Sequence, residues 1–319
     1  MKVLITGLTG FVGQALSYFL LSRNHSIIGY GSGFSQPPLD LLNKIQWINA
    51  QSVNAREILD NQLHECDAVI HLAAKVHQLN AIPHDFELFN AEYFKVNTRA
   101  SLELANQAAK ARVKRFIFLS TIKVNGESTE IGTPFHSDDV PRPQGPYALS
   151  KWEAEKGLSE IAKNSEMEVV IIRPPLVYGK NAKANLASLL KLVRTAIPLP
   201  FGSLDHNLRS FISIDNLISF IELCLHSDAA KNKTLLISDN HDLSTKELIT
   251  LLAQASNLKP KLFSCPSVVL KSMFSLLGRS DAFNRLTDSL QLDVSKTLSG
   301  LSWSPPYTVH EEIKKMCIR

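Results

Sequence analysis

The sequence predicts an α/β fold in which a parallel sheet is covered by helices on both faces. Two observations predict it. Short apolar runs rich in β-branched residues alternate with helical periodicity up to residue 180, the pattern of strands joined by crossover helices. The first run, Lys2–Thr6, leads at once into Gly7-Leu8-Thr9-Gly10-Phe11-Val12-Gly13. Helical spacing follows at Ala15, Leu16, Phe19 and Leu20. Strand, glycine turn and helix in that order form a dinucleotide fingerprint. Glycines let backbone approach a pyrophosphate, and a helix N-terminus presents free N–H groups and positive dipole character. Gly7, Thr9, Gly10, Phe11, Val12 and Gly13 are therefore cofactor-binding candidates.

At 319 residues the chain exceeds one ordinary core. A large domain, 1–180, and a smaller lobe, mainly 181–319 with some segments crossing back to the sheet, are expected. A net charge of +4 is too mild for a nucleic-acid partner. Cys66, Cys224, Cys265 and Cys317 have neither metal-ligand nor disulfide spacing, which points to a reducing, cytoplasmic setting and no metal. Val3-Leu4-Ile5 is too short for a signal peptide. Val268–Leu277 is interrupted by Lys271 and too short to span a bilayer. It reads as a helix of the second lobe, with contact to a membrane surface the lesser alternative.

The remaining elements follow in order. Ser26–Tyr30 is the second strand, ending in Gly29-Tyr30-Gly31-Ser32-Gly33. No acid for a ribose 2′-OH and no Arg for a 2′-phosphate stand there. Ser32 suits either cofactor, so NAD or NADP stays open. Ile45–Ile48 is a strand and Ala55–Leu63 a helix. Asp67–Leu72 is a strand running into Ala73-Ala74, small residues that let backbone pass close to a cofactor. His71 and His77 read as structural. Phe86–Ala111 reads as one long helix with Asn97 on a buried turn. Val113–Leu119 is a strand ending in Ser120-Thr121, hydroxyls at the end of a parallel strand where such sheets bind ligands. The stretch from Gly126 to Gly145 is a loop over the site. Met167–Ile172 is a further strand. Beyond residue 180 come helices at Leu186–Thr195, Asn216–Leu225 and Thr245–Ser256, the last with Ser244 as N-cap. Short strands are expected at Arg209–Ile214 and Leu235–Ser238.

Tyr147 and Lys151 are four apart on the helix opened by Pro146, so they share a face one turn apart. A phenol is a poor base near neutrality, and a neighbouring cation favours its phenolate. The pair is a candidate proton-transfer device.

Together these residues resemble the extended short-chain dehydrogenase/reductase family, the NAD(P)-dependent nucleotide-sugar epimerases and dehydratases on a Rossmann-type sheet. Thr6-Gly7 to Gly13 resembles its T-G-x-x-G-x-x-G. His71-Leu72-Ala73-Ala74 resembles its H-L-A-A turn and Val96-Asn97 its V-N motif. Ser120-Thr121, Tyr147 and Lys151 resemble its catalytic set, and Arg173-Pro174 with Val177-Tyr178-Gly179 its R-P-x-x-V-Y-G stretch. The resemblance implies Tyr147 as general acid/base. It implies Lys151 on the nicotinamide ribose, holding the Tyr pKa down, and Thr121 on the reacting oxygen. Leu72, Ala73, Ala74, Asn97 and Pro174 would line the cofactor. Ser120, Lys123, Asn185, Arg209 and Arg285 would meet substrate, the two arginines at its phosphates. A homodimer is implied as well. Gln51 departs from the family's Asp near the adenine.

Ser120-Thr121-Ile122-Lys123-Val124-Asn125-Gly126-Glu127 resembles a narrower bacterial group labelled UDP-glucose 4-epimerase-like. That group includes reductases of UDP-4-keto-6-deoxy-N-acetylhexosamine in surface-polysaccharide synthesis. Lys123-Val124-Asn125-Gly126 in place of T-V-Y-G favours a 4-keto reductase of a UDP-sugar over a 4-epimerase. A non-catalytic NAD(P) sensor is disfavoured because Thr121, Tyr147 and Lys151 are retained. A 4,6-dehydratase is disfavoured because no Asp-Glu pair follows Thr121.

Overall fold

Val3, Leu4, Ile5 and Thr6 are all shut off from solvent. An apolar run without alternation needs both its faces covered, and this one lies inside the main sheet as β1 (Lys2–Thr6). The computed structural model describes residues 1–31, 36–52, 54–76, 86–180, 185–195, 197–276 and 278–318, with backbone alone at 55, 86–89, 185 and 281. The other strands are β2 (Ser26–Gly31), β3 (Gln46–Asn49), β4 (Ala68–His71), β5 (Arg115–Leu119), β6 (Glu168–Arg173), β7 (Leu176–Tyr178), β8 (Phe211–Ser213) and β9 (Thr234–Leu236). Seven of them form one sheet in the order β3-β2-β1-β4-β5-β6-β9, and all its pairings are parallel.

Helices α1 (Phe11–Ser22), α2 (Leu39–Leu42), α3 (Ala55–Leu63), α4 (Phe86–Tyr93), α5 (Ala100–Lys110) and α6 (Gly145–Lys163) belong to the first part of the chain. Successive strand residues point to opposite faces. Val3 and Ile5 therefore pack with Leu16 and Leu20 of α1, while Leu4 packs with Leu104 of α5 and Leu158 of α6. The expected long helix from 86 to 111 is broken. A π-turn at Phe94–Arg99 separates α4 from α5. Its cause is a side chain: Asn97 bonds the backbone of Lys75 and the hydroxyl of Ser150, and the widened turn brings it to them.

The later helices are α7 (Asn185–Arg194), α8 (Ile214–His226), α9 (Thr245–Ala255), α10 (Ser267–Leu276), α11 (Ser280–Thr287), α12 (Ser295–Leu301) and α13 (Val309–Cys317). Strand β9 and helix α8 return to the main sheet, β9 beside β6 and α8 against α1. The rest builds a second apolar cluster around Leu190, Phe201, Leu252 and Ile313. Strands β7 and β8 pair in parallel as a separate two-stranded sheet. Among the described residues no helix is long and apolar enough to cross a membrane.

A buried acidic pair joins β8 to the last helix. The Asp239 carboxylate accepts from the Tyr178 hydroxyl at 2.7 Å, the Asn216 amide at 2.7 Å and the Ser213 N–H. Glu312 of α13, 3% exposed, lies beside it. Burial, reinforced by the Asp239 charge, pushes the Glu312 carboxyl up to about 7. The folded protein thus holds a proton that the unfolded chain releases at ordinary carboxylate pH. The stability this contributes is complete on the acid side and is lost as pH rises through about 7. We expect the thermal midpoint to fall between about pH 5 and pH 8. Glu312→Gln should flatten that slope and gain about 1–3 kcal/mol at the alkaline end. An unchanged slope in the variant, measured by thermal unfolding across pH, would remove the assignment.

Candidate active site

Strand β1 has β2 on one side and β4 on the other, so the direction of chain progression reverses between β1 and β4. Ligands of such sheets bind at the carboxyl ends of the strands at this point. Gly7 leaves β1 with φ +69°, and a Cβ there would lie 2.6 Å from the Ala73 nitrogen. Only glycine lets the two loops meet. Gly10 donates its N–H to the Gly7 carbonyl at 2.9 Å and precedes α1. Phe11, Val12 and Gly13 are the first turn of α1, whose N–H groups have no partner within the helix. A cradle that a Cβ would fill, facing a helix N-terminus, fits a dinucleotide pyrophosphate. Ser32, the candidate at the ribose, lies outside the described residues, as does His77.

The H-L-A-A turn is held from below by a polar chain. Ala73 donates its N–H to Thr6 Oγ1 at 3.3 Å. Thr6 Oγ1 lies 2.7 Å from His71 Nδ1, and His71 Nε2 lies 2.8 Å from Ser101 Oγ. Ser101 donates its own proton to the Asn97 carbonyl. His71 Nε2 must then carry the ring proton, and Nδ1 accepts from Thr6. Burial, with Lys151 nearby, lowers the His71 pKa to about 3, so the ring stays neutral. Asn97 is fully buried, its amide shared between Lys75 and Ser150. It therefore holds the backbone of Lys75 beyond β4 to the Ser150 hydroxyl of α6.

Tyr147 and Lys151 stand one turn apart at the start of α6. The Tyr147 phenol is hydrogen-bonded to Thr121, and the Tyr93 ring lies edge-on at 6.4 Å. The Lys151 nitrogen sits 3.8 Å from the centre of the Phe118 ring, and His71 stacks near that ring at 5.8 Å. In this arrangement burial, more than Lys151, sets the Tyr147 pKa. Burial pushes it up to about 12 against the opposing Thr121 bond. Burial also pulls Lys151 down to about 7, against the charge of Glu155. Desolvation disfavours both charged forms here: the phenol keeps its proton, and the ammonium gives its proton up more readily than an exposed lysine.

Glu155, one turn beyond Lys151, accepts from Arg173 Nε at 3.1 and 3.2 Å and from the Ser120 hydroxyl. Arg173 also donates to Asn125 Oδ1 at 2.8 Å, and Asn125 donates to the His136 carbonyl at 3.0 Å. All four side chains are buried. Ser120 thus belongs to this network. Pro174 is buried, and its carbonyl accepts from the Ile122 N–H beside Thr121. Glu155, Tyr93 and Phe118 were not singled out from the sequence. Glu155 was within reach, since 147, 151 and 155 share one helix face.

Contacts run on from Thr121 toward the second lobe. Thr121 Oγ1 accepts from the Lys123 N–H at 3.3 Å, and Lys123 Nζ pairs with Glu127 at 2.6 Å. The Glu127 charge acts on Arg209, which also donates to the Asp288 carbonyl at 2.9 Å. Burial, together with the neighbouring Arg285, disfavours the Arg209 charge. The Arg285 charge reaches Arg209, and bidentate guanidinium pairing suits a phosphate. The fold thus brings together Arg209 and Arg285, which are remote in sequence. The Asn185 side chain lies outside the described residues. At the opposite end of the sheet, ahead of β2, donor atoms of His25, Glu222 and His226 lie within 4.8 Å of one another. They are remote from this site.

Two substitutions test the construction. Gly7→Ala should weaken dinucleotide binding by about tenfold or more, since both φ and the Ala73 backbone exclude a Cβ. Cofactor titration by fluorescence measures this, and unchanged affinity would count against the cradle. Lys151→Met removes an ammonium that burial opposes below about pH 7. The lowered pKa means that wild-type stability rises with pH from about 7 toward the ordinary lysine value. The variant should lose activity, gain about 1–3 kcal/mol near neutrality and lose that pH dependence. Thermal unfolding without cofactor reads it.

Comparison with known proteins agrees with this arrangement. The profile of the NAD dependent epimerase/dehydratase family matches residues 3–237. A Vibrio cholerae protein named UDP-glucose 4-epimerase is 41% identical over 316 residues, covering 98% of this chain and 94% of that protein. An Escherichia coli O157:H7 protein named N-acetyl-alpha-D-glucosaminyl-diphospho-ditrans,octacis-undecaprenol 4-epimerase is 27% identical, covering 87% of this chain and 77% of that protein. The UDP-glucose 4-epimerase of Thermotoga maritima, solved with UDP-glucose, superposes with a TM-score of 0.77 over 99% of this chain and 97% of that one. At 21% identity that likeness speaks to the fold. The chain belongs to the NAD-dependent epimerase/dehydratase family and is an enzyme of nucleotide-sugar oxidoreduction or epimerisation that uses a nicotinamide dinucleotide.

Proposed function

We propose that the chain moves hydride at C4 of a UDP-hexose or UDP-N-acetylhexosamine in the cytoplasm, in surface-polysaccharide synthesis. The observation that carries this reading is the Thr121–Tyr147 hydrogen bond, with Lys151 one turn away on the same helix. The bound nicotinamide supplies the hydride acceptor or donor and, when oxidised, a positive charge. Tyr147 takes or gives the proton of the C4 oxygen, and Thr121 orients that oxygen. Lys151 holds the ribose end of the cofactor and, once charged, favours the phenolate. Arg209 and Arg285 hold the diphosphate, with Lys123 and Asn185 beside it. Remote binding of this kind fixes the reacting carbon in place.

Two directions use the same residues. Net reduction of a 4-keto sugar is supported by the Lys123-Val124-Asn125-Gly126 segment. Epimerisation at C4 is supported by the Vibrio cholerae relative. Asn125 weighs little between them, because its amide is committed to Arg173 and the His136 carbonyl. The Escherichia coli relative supports a wider choice of carrier, since an arginine clamp suits any sugar diphosphate.

The test offers the full chain UDP-4-keto-6-deoxy-N-acetylglucosamine with reduced cofactor, and separately UDP-glucose and UDP-N-acetylglucosamine. Cofactor consumed mole for mole with sugar marks the reductase. Sugar interconversion without net consumption marks the epimerase. Neither activity on any of these sugars would overturn the proposal. Tyr147→Phe should lower turnover by about 10²–10⁴ while dinucleotide affinity is retained.

A further inference from the structure

Helix α10 carries more apolar surface than the lobe covers. Leu270 is buried and Phe274 packs against the second-lobe cluster. The same apolar arc continues round the helix through Met273, Val269 and Leu276, with Val268 beyond Ser272 at its edge. These face water: Val268 is 73% exposed and Leu276 88%. Phe263, just ahead of the helix, is also exposed. Its backbone is bonded to Leu199 and Gly202, and exposed Ile197 shares a small surface pocket with Lys259 and Lys261.

The charges around this surface have one sign. Residues 248–280 contain no Asp or Glu, and carry Lys259, Lys261, Lys271 and Arg279. All four are exposed, and none forms an ion pair among the described residues. Apolar side chains on one helix arc, flanked by unpaired basic groups, match the acyl boundary and the anionic headgroups of a lipid surface together. A protein partner would need both an apolar hollow and a dense acidic rim. A second copy would bring the same positive charges face to face.

We propose that α10 and the segment ahead of it form a docking surface for an anionic phospholipid bilayer. The helix lies in the interface and does not span it. Helix α10 packs on α11, which carries Arg285, so docking would hold the proposed diphosphate clamp close to the lipid headgroups. The inference stands on α10 itself and is independent of which sugar is used.

The experiment is co-sedimentation of the full-length, untagged protein with phosphatidylcholine vesicles, with and without phosphatidylglycerol. Binding is expected only to the anionic vesicles and should fall with added salt. Lys259→Glu/Lys261→Glu should weaken it by at least about fivefold per charge. Val268→Ser/Leu276→Ser should abolish it. Both pairs lie on exposed positions, and retained turnover of a soluble UDP-sugar shows that the variants are folded. Absence of binding by the wild type overturns the proposal, as does equal binding by the variants. So does a shift from dimer to monomer in the serine variant, by light scattering, with vesicle binding unchanged.

Discussion

The buried carboxylate of Glu155 fixes where the proposed catalytic face of α6 sits. It lies on α6 in register with Tyr147 and Lys151, and it is gripped by Arg173 at the end of β6 and Ser120 after β5. Those bonds tie the catalytic helix to the carboxyl edge of the sheet. A buried ion pair adds little net stability over an apolar one, but removing one partner costs about 3–5 kcal/mol because a charge is stranded. This pair also fixes geometry. It determines which turn of α6 faces Thr121, and so whether the phenol and the hydroxyl meet. Arg173 extends the grip through Asn125 to the His136 carbonyl in the loop over the site.

A second constraint comes from the other side of the same helix. Asn97 reaches from the π-turn to Ser150 and to the backbone of Lys75, while His71 links Asn97's turn to Thr6 through Ser101. The glycine cradle and the catalytic helix are thus positioned by one continuous set of neutral hydrogen bonds. A charged His71 would break it, since its Nδ1 would no longer accept. Burial close to Lys151 keeps the ring neutral. The electrostatics of the site and the placement of the cofactor loops therefore depend on each other.

Much of this was legible in the sequence. Strands buried on both faces announce themselves as apolar runs, and the glycine loop and the Tyr147–Lys151 pair have local spacing. What was not legible shares a physical cause. The π-turn at Phe94–Arg99 exists because Asn97 bonds groups on α6 and after β4, and no local pattern encodes that. Strand β8 lies within the expected Arg209–Ile214, but its three-residue partner β7 is too short to show a period. Arg209 and Arg285 were paired only through the family resemblance, since their proximity depends on how α11 packs. Spacing also places a lysine near a tyrosine but says nothing of how dry the site is.

The direction of the reaction is a question about the second lobe more than about the catalytic residues. A reductase presents one face of C4 to the nicotinamide. An epimerase must let the keto sugar turn and present the other, while the diphosphate stays held. Tyr147, Thr121 and Lys151 are anchored to the sheet, whereas Arg209 and Arg285 stand on the lobe. Arg209 is bridged to Leu243 and Leu290 and bonded to the Asp288 carbonyl, so the clamp is fixed at the phosphate end. Freedom of the hexose then depends on the segment between clamp and phenol, where Lys123 and Glu127 form an ion pair that is half open to solvent. An exposed pair of this kind contributes little energy and gives way readily. Under the proposed function, this segment would decide whether hydride returns to the same face.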